Sequence, residues 1–273
     1  MKEEDQIPGE EKYLHGYSPE HRAFLSSRTA TEQAAFFLPF LKPGMRLLDC
    51  GCGMGALTTS LAEWLAPGEV TGIDREASQV EAARAWAAEK GSQNVRFETG
   101  NIYEIAYPDG SFDAVFAFTV LEHVREPLRA LREMRRVLKP GGVAGIYDPD
   151  YGTLLQTPST PGLEEMNRLM RRFSEENASP YYARDQRQYL LEAGFVRTQG
   201  FAFVVGGGNP QMIGGSYHLV LKPTIESLRL WILERGLADD ARIDELLAEA
   251  KAWSERPDAF FALTQCAAVA WAP

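Results

Sequence analysis

Between Arg46 and Asp148 the chain alternates short apolar runs with longer amphipathic stretches, and this rhythm constrains its fold more than any other feature. The runs Arg46–Cys50, Val70–Asp74, Val95–Thr99, Phe112–Phe118 and Val143–Asp148 have the length and residue types of largely buried strands. Between them, Ala56–Leu65, Ser78–Lys90 and Pro127–Leu138 carry apolar residues at helical spacing. Such alternation builds βαβ units and a mainly parallel sheet. "LKPGG", ending at Gly142, reads as the turn into the fifth run.

The rhythm breaks after Asp148. "PDYGTLLQTPSTPG" is rich in turn residues and leads into an amphipathic helix at about Leu163–Glu176. Helix Asp185–Ala193 and strand Phe195–Val205 return to the sheet, residues 206–257 hold two more helical patterns, and "AFFALTQCAAVAWA" is a last strand. Upstream, Ser18 with Pro19 marks one helix start. Thr29 and Glu32 have the spacing of a capping box for a second helix running to Phe40. The expectation is one α/β domain over 1–273: an arm and helices over 1–42, a ligand-binding core over 43–148, and lids over 149–183 and 206–257.

Composition narrows the function classes. With 38 acidic and 28 basic residues the formal charge is −10, which opposes attraction to nucleic acid or anionic lipid. The opening "MKEEDQIPGE" has no signal-peptide character and no apolar run nears the roughly 18 residues of a membrane span. The expectation is therefore no nucleic-acid partner, no stable membrane anchor and a reducing cytoplasm; no oligomeric state follows. Cys50, Cys52 and Cys266 make neither a disulfide framework nor a zinc set, so no metal is expected, and the first two read as small turn residues.

The chemistry concentrates in "LLDCGCGMGAL", Leu47–Leu57. Gly51, Gly53 and Ala56 satisfy the dinucleotide pattern, with the acid Asp74 at about the required distance, so an NAD(P)-dependent oxidoreductase is one reading. Asp49 argues against it: a carboxylate at a strand end, aimed into the ligand crevice, suits a ligand carrying positive charge.

Taken together, D-x-G-x-G-x-G from Asp49 to Gly55, Asp74 ending the second strand, Gly100–Asn101 after the third, "YPDGSFDAVFAFTVLEHV" from Tyr107 to Val124, and "LKPGG" make a specific set. On these residues the chain resembles the class I S-adenosylmethionine-dependent methyltransferases, in particular the UbiE/COQ5-like (methyltransferase-11-type) branch. The resemblance implies a doubly wound, seven-stranded Rossmann-like sheet and S-adenosyl-L-methionine as cofactor. It implies that Gly51, Gly53 and Gly55 bring backbone to the methionine moiety, with Asp49 anchoring the loop and the amino group. Asp74 would bind the ribose hydroxyls, and Asn101 with the amide of Ile102 would read adenine. The family more often has Asp at the Asn101 position, and the amide there is expected to accept from the adenine amino group. Phe118 and Thr119 would sit beside the sulfonium, Arg28 would meet the cofactor carboxylate, and Cys52, Arg75, Gln79 and Gly100 complete the expected set.

The expected reaction is methyl transfer to a small-molecule acceptor, apolar or aromatic in kind, at an undetermined atom. Candidate bases are His123 in "VLEHV" and His15 or Tyr17 in "YLHGYSP"; candidate acceptor contacts are Tyr151, Tyr181, Tyr182 and His218, with Phe201 and Phe203 as apolar walls whose default role is packing. A non-catalytic module that binds the same cofactor stays open beside the enzyme and the oxidoreductase, because fold does not fix function.

Overall fold

The computed structural model describes residues 25–273. The expected helix at Ser18–Pro19, together with His15 and Tyr17, lies outside them. Five strands follow the expected βαβ order: β1 (Leu47–Cys50), β2 (Val70–Asp74), β3 (Val95–Thr99), β4 (Phe112–Phe118) and β5 (Leu138–Pro149). They pair in parallel in the order β3-β2-β1-β4-β5. Helices α2 (Ala56–Leu65), α3 (Ala77–Lys90) and α4 (Pro127–Val137) make the crossovers.

β8 (Phe260–Trp271) adds antiparallel to β5, and β7 (Arg197–Gly207) adds antiparallel to β8 as the edge. The short β6 (Leu155–Thr157) also pairs with β8, making eight strands where seven were expected. Its alternation is too brief, and too close to Pro158, to stand out from a loop in the sequence. β5 also begins earlier than expected. Leu138 pairs with Phe112 and Val143 with Ala114, so the glycine turn is an irregularity inside the strand.

One sheet face packs under α4 and α6 (Tyr182–Glu192), burying Leu131, Met134 and Leu190 against Val115, Ile146 and Ala268. The other lies under α2 and residues 30–41, where Phe36, Phe37 and Leu61 meet Phe116 and Val269. That N-terminal stretch differs from expectation. α1 spans only Ala30–Gln33, and a separate 3-10 turn covers Leu38–Phe40, with Pro39 in it. No capping box closes: Thr29 makes no side-chain cap, and its N–H donates to Gln33 Oε1 at 2.8 Å instead of to Glu32.

The two excursions meet in one helical body. α5 (Pro161–Asn177), α7 (Pro210–Ser216), a π-helical stretch (Tyr217–Leu221), α8 (Lys222–Glu234) and α9 (Asp240–Ser254) share a core that includes Met166, Ile225, Leu246 and Trp253. Arg242 ties α9 to α5 through Glu165 at 2.7 Å.

Candidate cofactor and acceptor site

β1 ends in the middle of the sheet, between β2 and β4, and the turn after it fastens to β2. The N–H groups of Gly51 and Cys52 both donate to Ile73 O, at 2.8 and 3.0 Å, and Gly53 N–H donates to Asp74 Oδ2 at 2.9 Å. Gly51, Gly53 and Gly55 all have positive φ, the region glycine enters without steric cost. They differ in surroundings. A Cβ on Gly51 would lie 2.5 Å from Val120 Cγ2, and one on Gly55 2.7 Å from Ala83 and Phe97, whereas a Cβ on Gly53 would meet nothing within 4 Å. Gly53 therefore presents bare backbone to a cavity of about 940 Å³ that opens beyond the carboxyl ends of β1, β2, β3 and β4.

Asp49, Asp74, Gln79, Asn101, Phe118 and His123 line this cavity, with Arg28, Gly51, Cys52, Gly53, Gly55, Arg75, Gly100, Ile102 and Thr119. The expected cofactor set is thus brought together. Asp74 receives the Glu76 N–H on Oδ1 at 3.0 Å and the Gly53 N–H on Oδ2, leaving further lone pairs on each oxygen. Burial raises its affinity for a proton, and the two backbone bonds oppose that. Asp49 is only 3% exposed and accepts from Thr58 Oγ1 at 2.6 Å. Burial pushes its carboxyl up to about 7, the Thr58 bond works against this, and the Asp74 charge adds to it.

Gln79, in the first turn of α3, is buried, and its Nε2 has no hydrogen-bond partner among the described residues. Asn101 Oδ1 accepts from the Tyr103 N–H at 2.9 Å and keeps a second lone pair. Cys52 packs beside Gly72 and Phe97, burial pushes the thiols of Cys50 and Cys52 up, and no metal-binding cluster occurs among the described residues.

At the end of β4 the chain strains. Thr119 has φ +54°, the sole positive value of a non-glycine among the described residues, and its N–H donates to Tyr147 O at 2.6 Å. A 3-10 turn over Leu121–His123 follows, folded about Asp148 of β5, whose Oδ1 accepts from the Val120 N–H at 2.9 Å and the Glu122 N–H at 3.3 Å. His123 Nε2 lies 3.4 Å from Glu122 Oε1. Burial pushes Asp148 up to about 8 and Glu122 well above the usual carboxylate range, the neighbouring Asp148 adding to the effect on Glu122. Sequence reasoning missed both acids; the signal for Asp148 was the "DPD" that ends the fifth apolar run.

The expected acceptor contacts do not line the cavity. Tyr151 bonds Glu122 from behind, Tyr181 donates to Glu175 at 2.7 Å, Tyr182 is buried in the core under α6, and His218 is exposed on the helical body beside Tyr217. Position along the chain carries no information on which side chains turn toward β4.

Residues 41–194 match a family model described as a methyltransferase domain. The chain belongs to the class I S-adenosylmethionine-dependent methyltransferases. The probable methyltransferase ltbC of Aspergillus luteorubrus is 33% identical over 95% of this chain and 96% of its own length. The 27-O-demethylrifamycin SV methyltransferase of Amycolatopsis mediterranei is 36% identical over 70% of this chain and 68% of its own. In fold, the methyltransferase is similar to the YcgJ protein of Bacillus subtilis, with a TM-score of 0.60 at 22% identity over 89% of this chain and 98% of that one. Its cofactor is S-adenosylmethionine, which removes the dinucleotide oxidoreductase reading of the same glycines. The cradle fits such a cofactor: exposed peptide at Gly53, carboxyls at Asp49 and Asp74, and an unsatisfied donor at Gln79 suit a molecule carrying an amino group, a diol and ring nitrogens.

Proposed function

We propose that this methyltransferase serves a small-molecule acceptor bound at the β4 end of the cavity, and that the residues gathered at the ends of β1 to β4 hold the cofactor. The observation that carries the reading is the convergence of Gly53's bare backbone with Asp49 and Asp74 on one cavity. When bound, the cofactor would supply a methyl group on a sulfonium, whose carbon an electron-rich acceptor atom attacks in line while the sulfur leaves with the bonding pair.

The chain's residues divide the remaining work. Asp74 accepts from both ribose hydroxyls, and Asp49 faces the amino group. Asn101 Nδ2 and Gln79 Nε2 donate to ring nitrogens or ribose oxygens, and the Ile102 amide takes the adenine edge. Arg75 and Gly100 flank these contacts. Arg28, with its guanidinium 5.0 Å from the centre of the Phe118 ring, meets the carboxylate. Phe118 and Thr119 wall the sulfonium off from water, which favours alignment and limits side reactions. His123, held by Glu122, takes a proton from acceptors that start protonated, with His15 and Tyr17 of the N-terminal segment as the other candidate bases.

A small acceptor is supported by the size of the cavity, the acidic composition and the rifamycin named for one relative. The "VLEHV" and "LKPGG" runs favour a place near the UbiE/COQ5-like branch. Calorimetry with S-adenosylhomocysteine and the folded protein tests the cofactor site; no binding, or binding only of a nicotinamide dinucleotide, overturns it. His123→Ala is expected to keep that affinity and lose turnover of an acceptor that starts protonated, followed by release of S-adenosylhomocysteine.

A further inference from the structure

The strand register sets a row of aromatic side chains running from the cavity to the open edge of the sheet. Phe118 of β4 pairs with Tyr147 of β5, Tyr147 with Ala267 of β8, and Ala267 with Phe201 of β7, so all four point to the same face. Phe203, two residues along β7, shares that face. The rings stand nearly parallel. Phe118 and Tyr147 have centroids 4.5 Å apart at 15°, Tyr147 and Phe203 6.3 Å at 22°, and Phe201 and Phe203 6.5 Å at 7°.

Two features set this row apart from ordinary core. Phe118 is itself a wall of the cavity. Exposure then grows with distance from it: Phe118 is 9% exposed, Tyr147 half-buried and Phe203 42% exposed. Between Tyr147 and Phe201 the row is closed by core: Ala267 is buried there, and the Phe36 ring packs against Tyr147 at 6.0 Å and Phe201 at 5.9 Å, so the open part of the row is Phe118, Tyr147 and Phe203. Rings standing side by side on a sheet turn their edges outward, and ring edges carry the positive part of the quadrupole, which attracts the face of an electron-rich aromatic. An aliphatic ligand gains only area from such a surface.

Resting on the cofactor reading above, we infer that the methyl acceptor is a planar, electron-rich aromatic, a phenol or hydroxylated fused-ring compound, lying across Phe118, Tyr147 and Phe203 with its nucleophilic oxygen toward Thr119 and His123. The row thereby selects the acceptor. Methyl transfer then forms an aryl–O–CH₃ bond as the methyl–sulfur bond breaks; the phenolic proton leaves to His123 and the sulfur keeps the bonding pair.

The test uses the full chain saturated with S-adenosylhomocysteine and two probes of one skeleton, 1-naphthol and its saturated counterpart decahydro-1-naphthol, titrated by calorimetry. Naphthol is expected to bind about three- to tenfold more tightly than decahydronaphthol. Phe203→Leu, which keeps an apolar side chain at an exposed position, is expected to abolish most of that preference without changing the melting temperature or the S-adenosylhomocysteine affinity. Tyr147→Leu is expected to do the same where it folds. Equal affinities for the two probes, no binding of either, or an undiminished preference in Phe203→Leu overturns the inference and leaves the cofactor reading standing. Failure of the folded wild type to bind S-adenosylhomocysteine overturns both.

Discussion

At the scale of single residues, the site depends on carboxyls kept where water does not reach them. Asp74 holds the turn through Gly53 and still has lone pairs for a diol, so its loss removes both a ligand contact and a loop restraint. Hydrogen bonds to a charged group contribute about 1.5–3 kcal/mol each. Asp74→Ala is therefore expected to weaken S-adenosylhomocysteine binding by roughly a hundredfold or more in calorimetry; a change below threefold would remove Asp74 from the site. Asp49 gives a pH dependence. Its carboxyl sits at about 7 in the free protein, and an ammonium group binds the ionised form, so affinity is full above pH 7. Below it, Kd is expected to rise about tenfold per pH unit, and Asp49→Asn is expected to flatten the profile. That these two aspartates belong to one site was legible from their spacing to the glycines. The bond from the Tyr103 N–H to Asn101 Oδ1 was not, because an amide's partner depends on how the loop after β3 turns back on itself.

At the scale of elements, the turn from β1 into α2 separates packing from binding. Gly51 and Gly53 look alike in the sequence, yet only Gly51 is crowded, by Val120 at the end of β4. Gly51→Ala is expected to cost about 1–3 kcal/mol of stability from overpacking and positive φ, and Val120→Ala in the same chain should return part of it, as a double-mutant cycle in urea would measure. Gly53→Ala has space for its methyl, so its stability cost is expected near 1 kcal/mol, with the larger effect on cofactor affinity. The parallel strands and their crossover helices were readable because burial on both faces leaves long apolar runs. β6, the broken α1 and the early start of β5 were not, since each is decided by what lies beside it: β8 pairs with β6, and Leu138 returns to Phe112 across a glycine turn.

At the scale of the whole molecule, three buried carboxyls act together on stability. Asp49 at about 7, Asp148 at about 8 and Glu122, also raised, all bind protons more tightly folded than unfolded. The stability they contribute is full below about pH 4 and is lost as pH rises through 7 to 8. The formal charge of −10 adds self-repulsion in the same direction. The ligand-free protein is therefore expected to melt several degrees lower at pH 8.5 than at pH 6. S-adenosylhomocysteine at a hundred times its Kd is expected to add about 2.7 kcal/mol, or roughly 5–10 °C, at neutral pH. A melting temperature flat across that pH range would contradict these charge states, and one unmoved by the ligand would contradict the cofactor site. By itself the sequence determined the α/β sheet, the glycine turn and the acids around it, because apolar periodicity and glycine spacing are local properties of the chain. Only the tertiary structure decided that Glu122 and Asp148 meet behind His123, that Tyr181, Tyr182 and His218 turn away from the cavity, and that Phe118, Tyr147 and Phe203 form one row. Those relations are set by strand order and register, which bring together residues tens of positions apart.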